Sequence, residues 1–340
     1  MIYIRADMND IIASGHIMRC LAIADAIRAL GGDVTFLLAD ENAVPLLADR
    51  GYRYIVLHSK WNDLEGEISK LLSLIDTYEE KTLLIDHYYV TERYLSELRE
   101  HFFTVYLDDL NAFLYPVDML ICAANYFENY KYEKRYGNTN TKLLLGTRYA
   151  TLRKAFQKRS EKIIRDKISS LLIMSGGSDS YSVVRRLLER LDIKLYKNIY
   201  AVCGIYNDDF DMLSNRHYAY PQVKILKFVP DIDKYMDSAD VAISAGGTTL
   251  YELCAIGTPA ISYTVADNQR PNVRKFQEDG IIPYAGDMRD IGTMERILEI
   301  LNGELQEKSL RTSISHRMQT VVDGNGAARL AKAILEHSAE

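Results

Sequence analysis

The sequence predicts an α/β fold in two consecutive domains, each a Rossmann-like parallel sheet with helices on both faces. Short β-rich runs alternate with longer helical patterns from the first residues onward, the same alternation returns after residue 168, and a basic segment without strand character separates the two passes. A length of 340 residues suits two domains of ordinary size.

In the first pass, Ile2–Arg5, Val34–Leu38, Tyr54–Leu57, Thr82–Ile85 and Phe103–Leu107 read as strands: short apolar runs of the kind a sheet covered on both faces requires. Gly15–Ala29, Glu41–Arg50, Leu64–Tyr78 and Glu92–Glu100 carry the spacing of helices between them. In the second pass, Leu171–Met174, Asn198–Val202, Lys224–Phe228, Val241–Ser244 and Ala260–Tyr263 are strands, with helices over Tyr181–Leu191, Asp231–Ser238, Thr249–Ala255 and Pro271–Gln277. Residues 1–152 then form the N-terminal domain, 153–167 a linker, 168–322 the C-terminal domain and 323–340 an Ala-rich terminal helix after a Gly-rich break. The linker Arg153–Lys167 holds seven Lys/Arg and two acids, and reads as a solvated helical connection rather than a basic patch for a nucleotide or nucleic acid.

Hydrophobic residues at 48% and charged residues at 26% predict a soluble chain with a real core. A net charge of −6 argues against broad attraction to nucleic acid or anionic lipid, so an anionic ligand needs a local site. No apolar run is long enough to span a membrane and Met1–Arg5 lacks the features of a secretory signal, which points to the cytoplasm. Cys20, Cys122, Cys203 and Cys254 are scattered and suggest neither a zinc site nor a disulfide framework. Tyrosine is over-used, 24 against a single Trp, and the chain carries no signal for its oligomeric state.

In open parallel sheets ligands bind beyond the carboxyl ends of strands, where helices begin and unpaired N–H groups point outward. Four such loops stand out. After the first strand, Ser14-Gly15-His16 opens a helix and brings an imidazole and Arg19 to the sheet mouth; His16 is either a general base or a helix-capping residue. Ser244-Ala245-Gly246-Gly247-Thr248-Thr249 is a Gly-rich turn into a helix that can hold a diphosphate, with Glu252 one turn on for two ribose hydroxyls; a purely structural turn is the alternative. Ser175-Gly176-Gly177-Ser178-Asp179 offers further main-chain donors, and Asp179 is open to a role as helix cap. Asn268 and Gln269 pair two amides that can read the hydroxyl and acetamido groups of a sugar, or form a surface turn. Asp231-Ile232-Asp233 sits at a helix start and reads as an N-cap rather than a metal site, and Asp108-Asp109 either touches substrate or caps the next turn. Nothing in the spacing of the histidines calls for a metal, no cofactor is implied, and Gly-x-Ser-x-Gly is absent.

Taken in order, Arg5-Ala6-Asp7, Gly15-His16-Ile17-Met18-Arg19-Cys20, Asp86-His87-Tyr88, Leu107-Asp108-Asp109-Leu110, Leu145-Gly146-Thr147-Arg148-Tyr149-Ala150, Ser175-Gly176-Gly177-Ser178-Asp179, Gly246-Gly247-Thr248 with Glu252, Asp267-Asn268-Gln269 and Val322-Asp323-Gly324-Asn325-Gly326-Ala327 resemble the UDP-sugar hydrolases of the pseudaminic-acid pathway nearly end to end. These are similar in turn to the peptidoglycan UDP-GlcNAc transferase, whose GT-B architecture sets two Rossmann-like domains facing across a cleft. The resemblance implies hydrolysis of UDP-2,4-diacetamido-2,4,6-trideoxy-β-L-altropyranose to UDP and free sugar. It makes His16 the base that activates water for inverting attack at the anomeric carbon. It also places uracil near Phe228-Val229, ribose on Glu252 and diphosphate at Gly246-Gly247-Thr248-Thr249, with Gly176 and Gly177 alongside. Asp7, Gly15, Arg19, Asp86, Tyr88, Asn268 and Gln269 would face the sugar. Ala13, Thr147 and the Leu250-Tyr251-Glu252-Leu253 run depart from the family pattern, while His16 and Glu252 keep it. The spore-coat polysaccharide proteins are similar over the same motifs, and the alternative they imply is a GT-B glycosyltransferase in which His16 deprotonates an acceptor hydroxyl. A nucleotide-sugar binding protein without turnover and an epimerase are the other functions the fold admits.

Overall fold

The structure, a computed structural model, describes residues 1–12, 14–74, 81–157, 160–177, 179–204, 207–227 and 229–337. Of the positions singled out above, Ala13, Ser178 and Phe228 lie outside the described residues, as does the end of the helix expected to reach Tyr78.

The chain divides into two compact units, Met1–Lys154 with Asn325–Glu340, and Ala155–Gly324. The first is built on a seven-stranded, wholly parallel sheet: β1 (Ile2–Ala6), β2 (Val34–Leu38), β3 (Arg53–Val56), β4 (Thr82–Asp86), β5 (Phe103–Leu107), β6 (Met119–Cys122) and β7 (Lys142–Leu145), in the spatial order 3-2-1-4-5-6-7. The second holds a six-stranded parallel sheet of β8 (Ser170–Met174), β9 (Asn198–Cys203), β10 (Val223–Lys227), β11 (Val241–Ala245), β12 (Ala260–Thr264) and β13 (Tyr284–Asp287), ordered 10-9-8-11-12-13. Each sheet therefore reverses direction once, between β1 and β4 in the first unit and between β8 and β11 in the second. Ligands of doubly wound sheets gather at that reversal, because the flanking loops diverge to opposite faces and leave a crevice.

The strands form where apolar residues run without alternation, since both faces are covered. Ile4, Phe36, Leu84 and Val105 pack on one side against Ile17, Leu21 and Ala24 of the helix Gly15–Ala29. Leu37, Leu83, Ile85 and Tyr106 pack on the other against Leu71, Tyr94 and Leu98. Each such side chain taken fully from water contributes about 1.5–3 kcal/mol. The terminal helix Gly326–His337 buries Leu330, Ala331 and Ile334 in the core of the first unit, so the last residues of the chain complete the domain that the first residues began.

The segment expected as a helical linker takes another form. Its one described regular element is a single 3-10 turn, Lys154–Phe156, and its cations cover a helix end. Lys162 Nζ donates to the Asp237 carbonyl and, at 3.0 Å, to that of Met236; Arg165 Nη1 donates to the Ser238 carbonyl at 3.1 Å and to Asp240 Oδ1 at 2.7 Å. These carbonyls close the helix Ile232–Ser238, where unsatisfied acceptors and the helix dipole both favour positive charge. Two of the segment's cations, Lys162 and Arg165, thus serve as a structural cap. Asp231, expected to cap the start of that helix, instead pairs with Lys234 at 2.9 Å.

The strands absent from the sequence reading are β6, β7 and β13. β6 and β7 hold only four and three consecutive apolar residues, which periodicity cannot tell from part of a helix, and β13 reads Tyr-Ala-Gly-Asp, with a glycine that weakens the strand signal. Many of the tyrosines gather beside β5: the Tyr115 and Tyr132 hydroxyls donate to the Asp108 carboxylate at 3.0 and 2.5 Å, and it also accepts the Leu110 and Asn111 amides. All four cysteines are buried and free. No helix among the described residues is long and apolar enough to cross a membrane.

Candidate active site

The first-unit site lies at the reversal between β1 and β4, which run in register so that Ala6 faces Asp86. β1 leads into the helix Gly15–Ala29, whose first turn carries His16, and β4 ends on Asp86. The His16 Nδ1–H reaches Asp86 Oδ1 at 2.6 Å, and both side chains are buried. With Nδ1 as the donor to the carboxylate, the lone pair of the ring sits on Nε2. The Tyr88 ring stands edge-on to the His16 ring, 4.4 Å between centroids and 81° between planes, and its hydroxyl donates to Asp109 Oδ2 at 3.3 Å.

Arg19, one turn along the helix from His16, is wholly engaged. Its Nε and Nη2 donate to the two oxygens of Asp86, and its Nη1 donates to Asp109 Oδ2 at 2.6 Å. Burial alone would push the Asp86 carboxyl up, but the Arg19 guanidinium and the His16 hydrogen bond outweigh it and hold the group below the usual carboxylate range. Partial burial, reinforced by Asp109, pushes the Tyr88 hydroxyl up to about 12 although 44% of the residue stays exposed, so it is a neutral donor near pH 7. Burial likewise drives the Cys20 thiol well up, and its Sγ rests 3.6 Å from Asp86 Oδ2.

Behind this cluster lies a second charged layer. Arg5, fully buried, donates from Nε and Nη2 to the Glu67 carboxylate at 2.7 and 3.0 Å, which also accepts Ser59 and Tyr94 hydroxyls at 2.7 and 2.9 Å. Asp7 accepts the Ala39 amide at 2.8 Å, and its other oxygen lies 2.6 Å from Arg5 Nη1 and 3.5 Å from His87 Nε2. Burial would raise the Asp7 carboxyl, yet His87 and Arg5 hold it low. Of the residues expected at the sugar, Asp7, Arg19 and Asp86 thus have their charged groups committed to protein partners, while Gly15 and Tyr88 are exposed.

The second-unit site occupies the equivalent reversal between β8 and β11. A cavity of about 250 Å³ is lined by Ser175, Gly176, Gly177, Asp179 and Ser180 after β8, by Ser244, Ala245, Gly247, Thr248 and Thr249 after β11, and by Val265 and Gln269 after β12. The helix Thr249–Ile256 starts at its edge, with the Leu250 and Tyr251 amides turned back onto the Gly247 and Thr248 carbonyls at 3.2 and 3.0 Å, and its positive dipole end lies beside the cavity. Two glycines make the close packing possible. A Cβ on Gly204 would lie 2.0 Å from the Gly177 carbonyl oxygen, and one on Gly246 would lie 2.4 Å from Val273 Cγ1. Asp179 caps the next helix, accepting the Val183 and Val184 amides at 2.8 and 3.1 Å. Gln269 has its carbonyl oxygen fixed by the Val265 amide at 3.0 Å. Glu252 is half-buried in the first turn of Thr249–Ile256, Asn268 is exposed, and Val229 is half-buried just past β10.

Comparison with known proteins bears on both units. Residues 171–290 match the glycosyltransferase family 28 C-terminal domain. The chain is 28% identical over 206 residues to the spore coat polysaccharide biosynthesis protein SpsG of Bacillus subtilis, covering 59% of this chain and 60% of that protein. It is 30% identical over 179 residues to a Campylobacter jejuni UDP-N-acetylglucosamine–N-acetylmuramyl-(pentapeptide) pyrophosphoryl-undecaprenol N-acetylglucosamine transferase, covering 51% of this chain and 50% of that enzyme. The chain thus spans between half and three-fifths of these curated relatives. Among solved structures, Acinetobacter baumannii MurG superimposes with a TM-score of 0.67 over 98% of this chain and 99% of MurG, at 15% identity. The fold is therefore that of the GT-B glycosyltransferases, and the chain is homologous to SpsG and to family 28 transferases.

Sequence reasoning had singled out the His16 turn and the Gly-rich turn after β11. It had left Asp109 between two roles and had given no part to Arg5, Glu67, His87 or Gly204. Glu67 lies 62 residues from Arg5 in the chain, and only the fold brings them together. Gly204 closes β9 with no accompanying motif, and its role follows from a backbone approach that sequence does not record.

Proposed function

We propose that this chain is a nucleotide-sugar enzyme of the GT-B type that moves a glycosyl group from UDP to a nucleophile deprotonated by His16. The observation that carries the reading is the 2.6 Å contact from His16 Nδ1 to Asp86 at the sheet reversal of the first unit. A carboxylate that holds Nδ1–H leaves Nε2 as a proton acceptor in a fixed orientation, the arrangement general-base catalysis needs. The second unit contributes the nucleotide-binding cavity. There the Gly246–Thr249 turn and the helix N-terminus take the diphosphate, Glu252 takes the ribose hydroxyls, and the main chain near Val229 takes the uracil. Tyr88, Asn268 and Gln269 contact the sugar.

The likeness to SpsG and to the family 28 transferases supports a sugar hydroxyl of a surface or spore-coat polysaccharide as the nucleophile. The motif series from Arg5 to Ala327 supports a second reading, in which the nucleophile is water and the products are UDP and a free diacetamido sugar. The two differ in the nucleophile and therefore in the product. Purified enzyme incubated with candidate UDP-sugars, with EDTA and without any acceptor, releases free sugar if water is the nucleophile. UDP release that depends on an added saccharide acceptor marks the transferase. In either case His16→Ala removes the reaction, and full turnover in that variant would overturn the assignment.

A further inference from the structure

The contact that orients His16 also threatens it. A buried carboxylate beside an imidazole favours the imidazolium, and an imidazolium cannot accept a proton from a nucleophile. Asp86 has no exposure to solvent that would weaken this pull. What offsets it is the second partner of the same carboxylate. Arg19 grips both Asp86 oxygens, and the same ring nitrogen faces the carboxylate at 2.6 Å and Arg19 Nη2 at 3.4 Å.

The other groups around the ring add little charge. From the same helix, Cys20 is a neutral thiol; from the segment after β4, Tyr88 is a neutral hydroxyl, and His87 stacks at 6.4 Å and 20° with its Nδ1 accepting the Tyr89 amide. Asp7, beyond His87, is matched by Arg5. From the segment after β5, Asp109 faces the outer edge of Arg19 rather than His16 and fixes the guanidinium through Nη1. A guanidinium suits this place because its planar fork bonds one carboxylate through two nitrogens while the third holds another.

We infer that Arg19 is a positioning residue, a fixed counter-charge that lets Asp86 orient the His16 ring while leaving that ring neutral and able to accept a proton. Its three nitrogens are used in this way. The inference rests on the reading of His16 as the base.

The test compares the wild-type chain with Arg19→Gln, Arg19→Lys, Asp86→Asn and the Arg19→Gln/Asp86→Asn double variant. The readouts are kcat and KM against pH, and the His16 ring resonances against pH by NMR on histidine-labelled protein. In Arg19→Gln the acid limb of kcat/KM moves up by about one pH unit or more, the size of effect an opposite charge at this range exerts. The His16 ring protonates at correspondingly higher pH, and KM for the nucleotide sugar changes little. Arg19→Lys keeps the acid limb near that of the wild type while kcat falls. If Arg19→Gln alone does not fold, the double variant, which leaves no unpaired buried carboxylate, replaces it. The His16 ring then protonates at higher pH in the double variant than in Asp86→Asn, where the Arg19 charge stands alone. A uniform loss of rate across pH with the ring protonating as in the wild type would overturn the inference, as would a rise in KM alone. Retention of turnover in His16→Ala is a separate result, which would overturn the reading of His16 and leave the role of Arg19 in the charge balance to be judged by NMR.

Discussion

Asp86→Asn probes the candidate site at its centre, because asparagine keeps the volume of the side chain while removing its charge and turning one acceptor oxygen into a donor. In the wild-type chain one buried carboxylate accepts from His16 Nδ1 at 2.6 Å and from two nitrogens of Arg19. An amide has a single oxygen acceptor, and its NH2 must face either the ring or the guanidinium, so at least one donor loses its partner. Removing one partner of a buried ion pair costs about 3–5 kcal/mol. The Arg19 side chain retains 19% exposure and its bond to Asp109, which sets the expected cost lower, at about 2–3 kcal/mol. For domains of 150–250 residues that lowers Tm by about 4–12 °C. The catalytic effect is separate. An amide NH2 turned toward the ring reverses the tautomer and places the proton on Nε2, so the base is lost and turnover falls by about 10²–10⁴-fold. Melting followed by circular dichroism gives the first quantity, and initial rates of UDP release well below the transition give the second. A lowered Tm with wild-type turnover would show that Asp86 only supports the fold, and an unchanged Tm would refute the buried clamp itself.

Further outcomes follow from the same geometry. His16→Ala lowers turnover by at least about 10²-fold while UDP affinity, read by calorimetry, stays within a few-fold, since the cavity proposed for the nucleotide is lined by residues of the other unit alone. Gly204→Ala forces a methyl against the Gly177 carbonyl, costs about 1–3 kcal/mol as overpacking, and weakens UDP binding by at least about tenfold; unaltered affinity would remove the loop after β8 from the nucleotide site. Asp7, Asp86 and Asp240 are all held low in the folded chain, so the stability they contribute is fully present above the usual carboxylate range, and is lost as pH falls through and below it, an order that denaturant midpoints from pH 6 to 3 will reveal. Lys162 behaves in the opposite sense: burial brings its ammonium down to about 8 against an ordinary value of 10.5, the unfolded chain binds the extra proton in between, and stability rises with pH across that window. Lys162→Met flattens that rise.

The fold was legible because α/β sheets announce themselves through apolar runs set between amphipathic helices, and ten strands of the two sheets were readable on that basis. β13 was not, because its pairing with β12 is irregular, with a register shift between Ser262 and Thr264, and its residues lack β-branched character. The basic segment after residue 152 departs from the helical form expected of it because composition reports charge but not its destination, and Lys162 and Arg165 end on helix carbonyls. At the site, His16 and the Gly-rich turn after β11 stood out as residues following strands, and Asp86 entered through the family resemblance. Their division of labour did not. Whether a carboxylate faces a ligand or clamps an arginine depends on pairs such as Arg19 with Asp109, 90 residues apart in the chain, and only the sheet order makes them neighbours.

The most direct test of the account is an NMR time course of the wild-type and His16→Ala chains with UDP-sugars, with and without saccharide acceptors. The account predicts cleavage of the bond between the anomeric carbon and UDP by the wild-type chain and near-complete loss in the variant. UDP binding without turnover of any sugar, or equal turnover by the two chains, would contradict it.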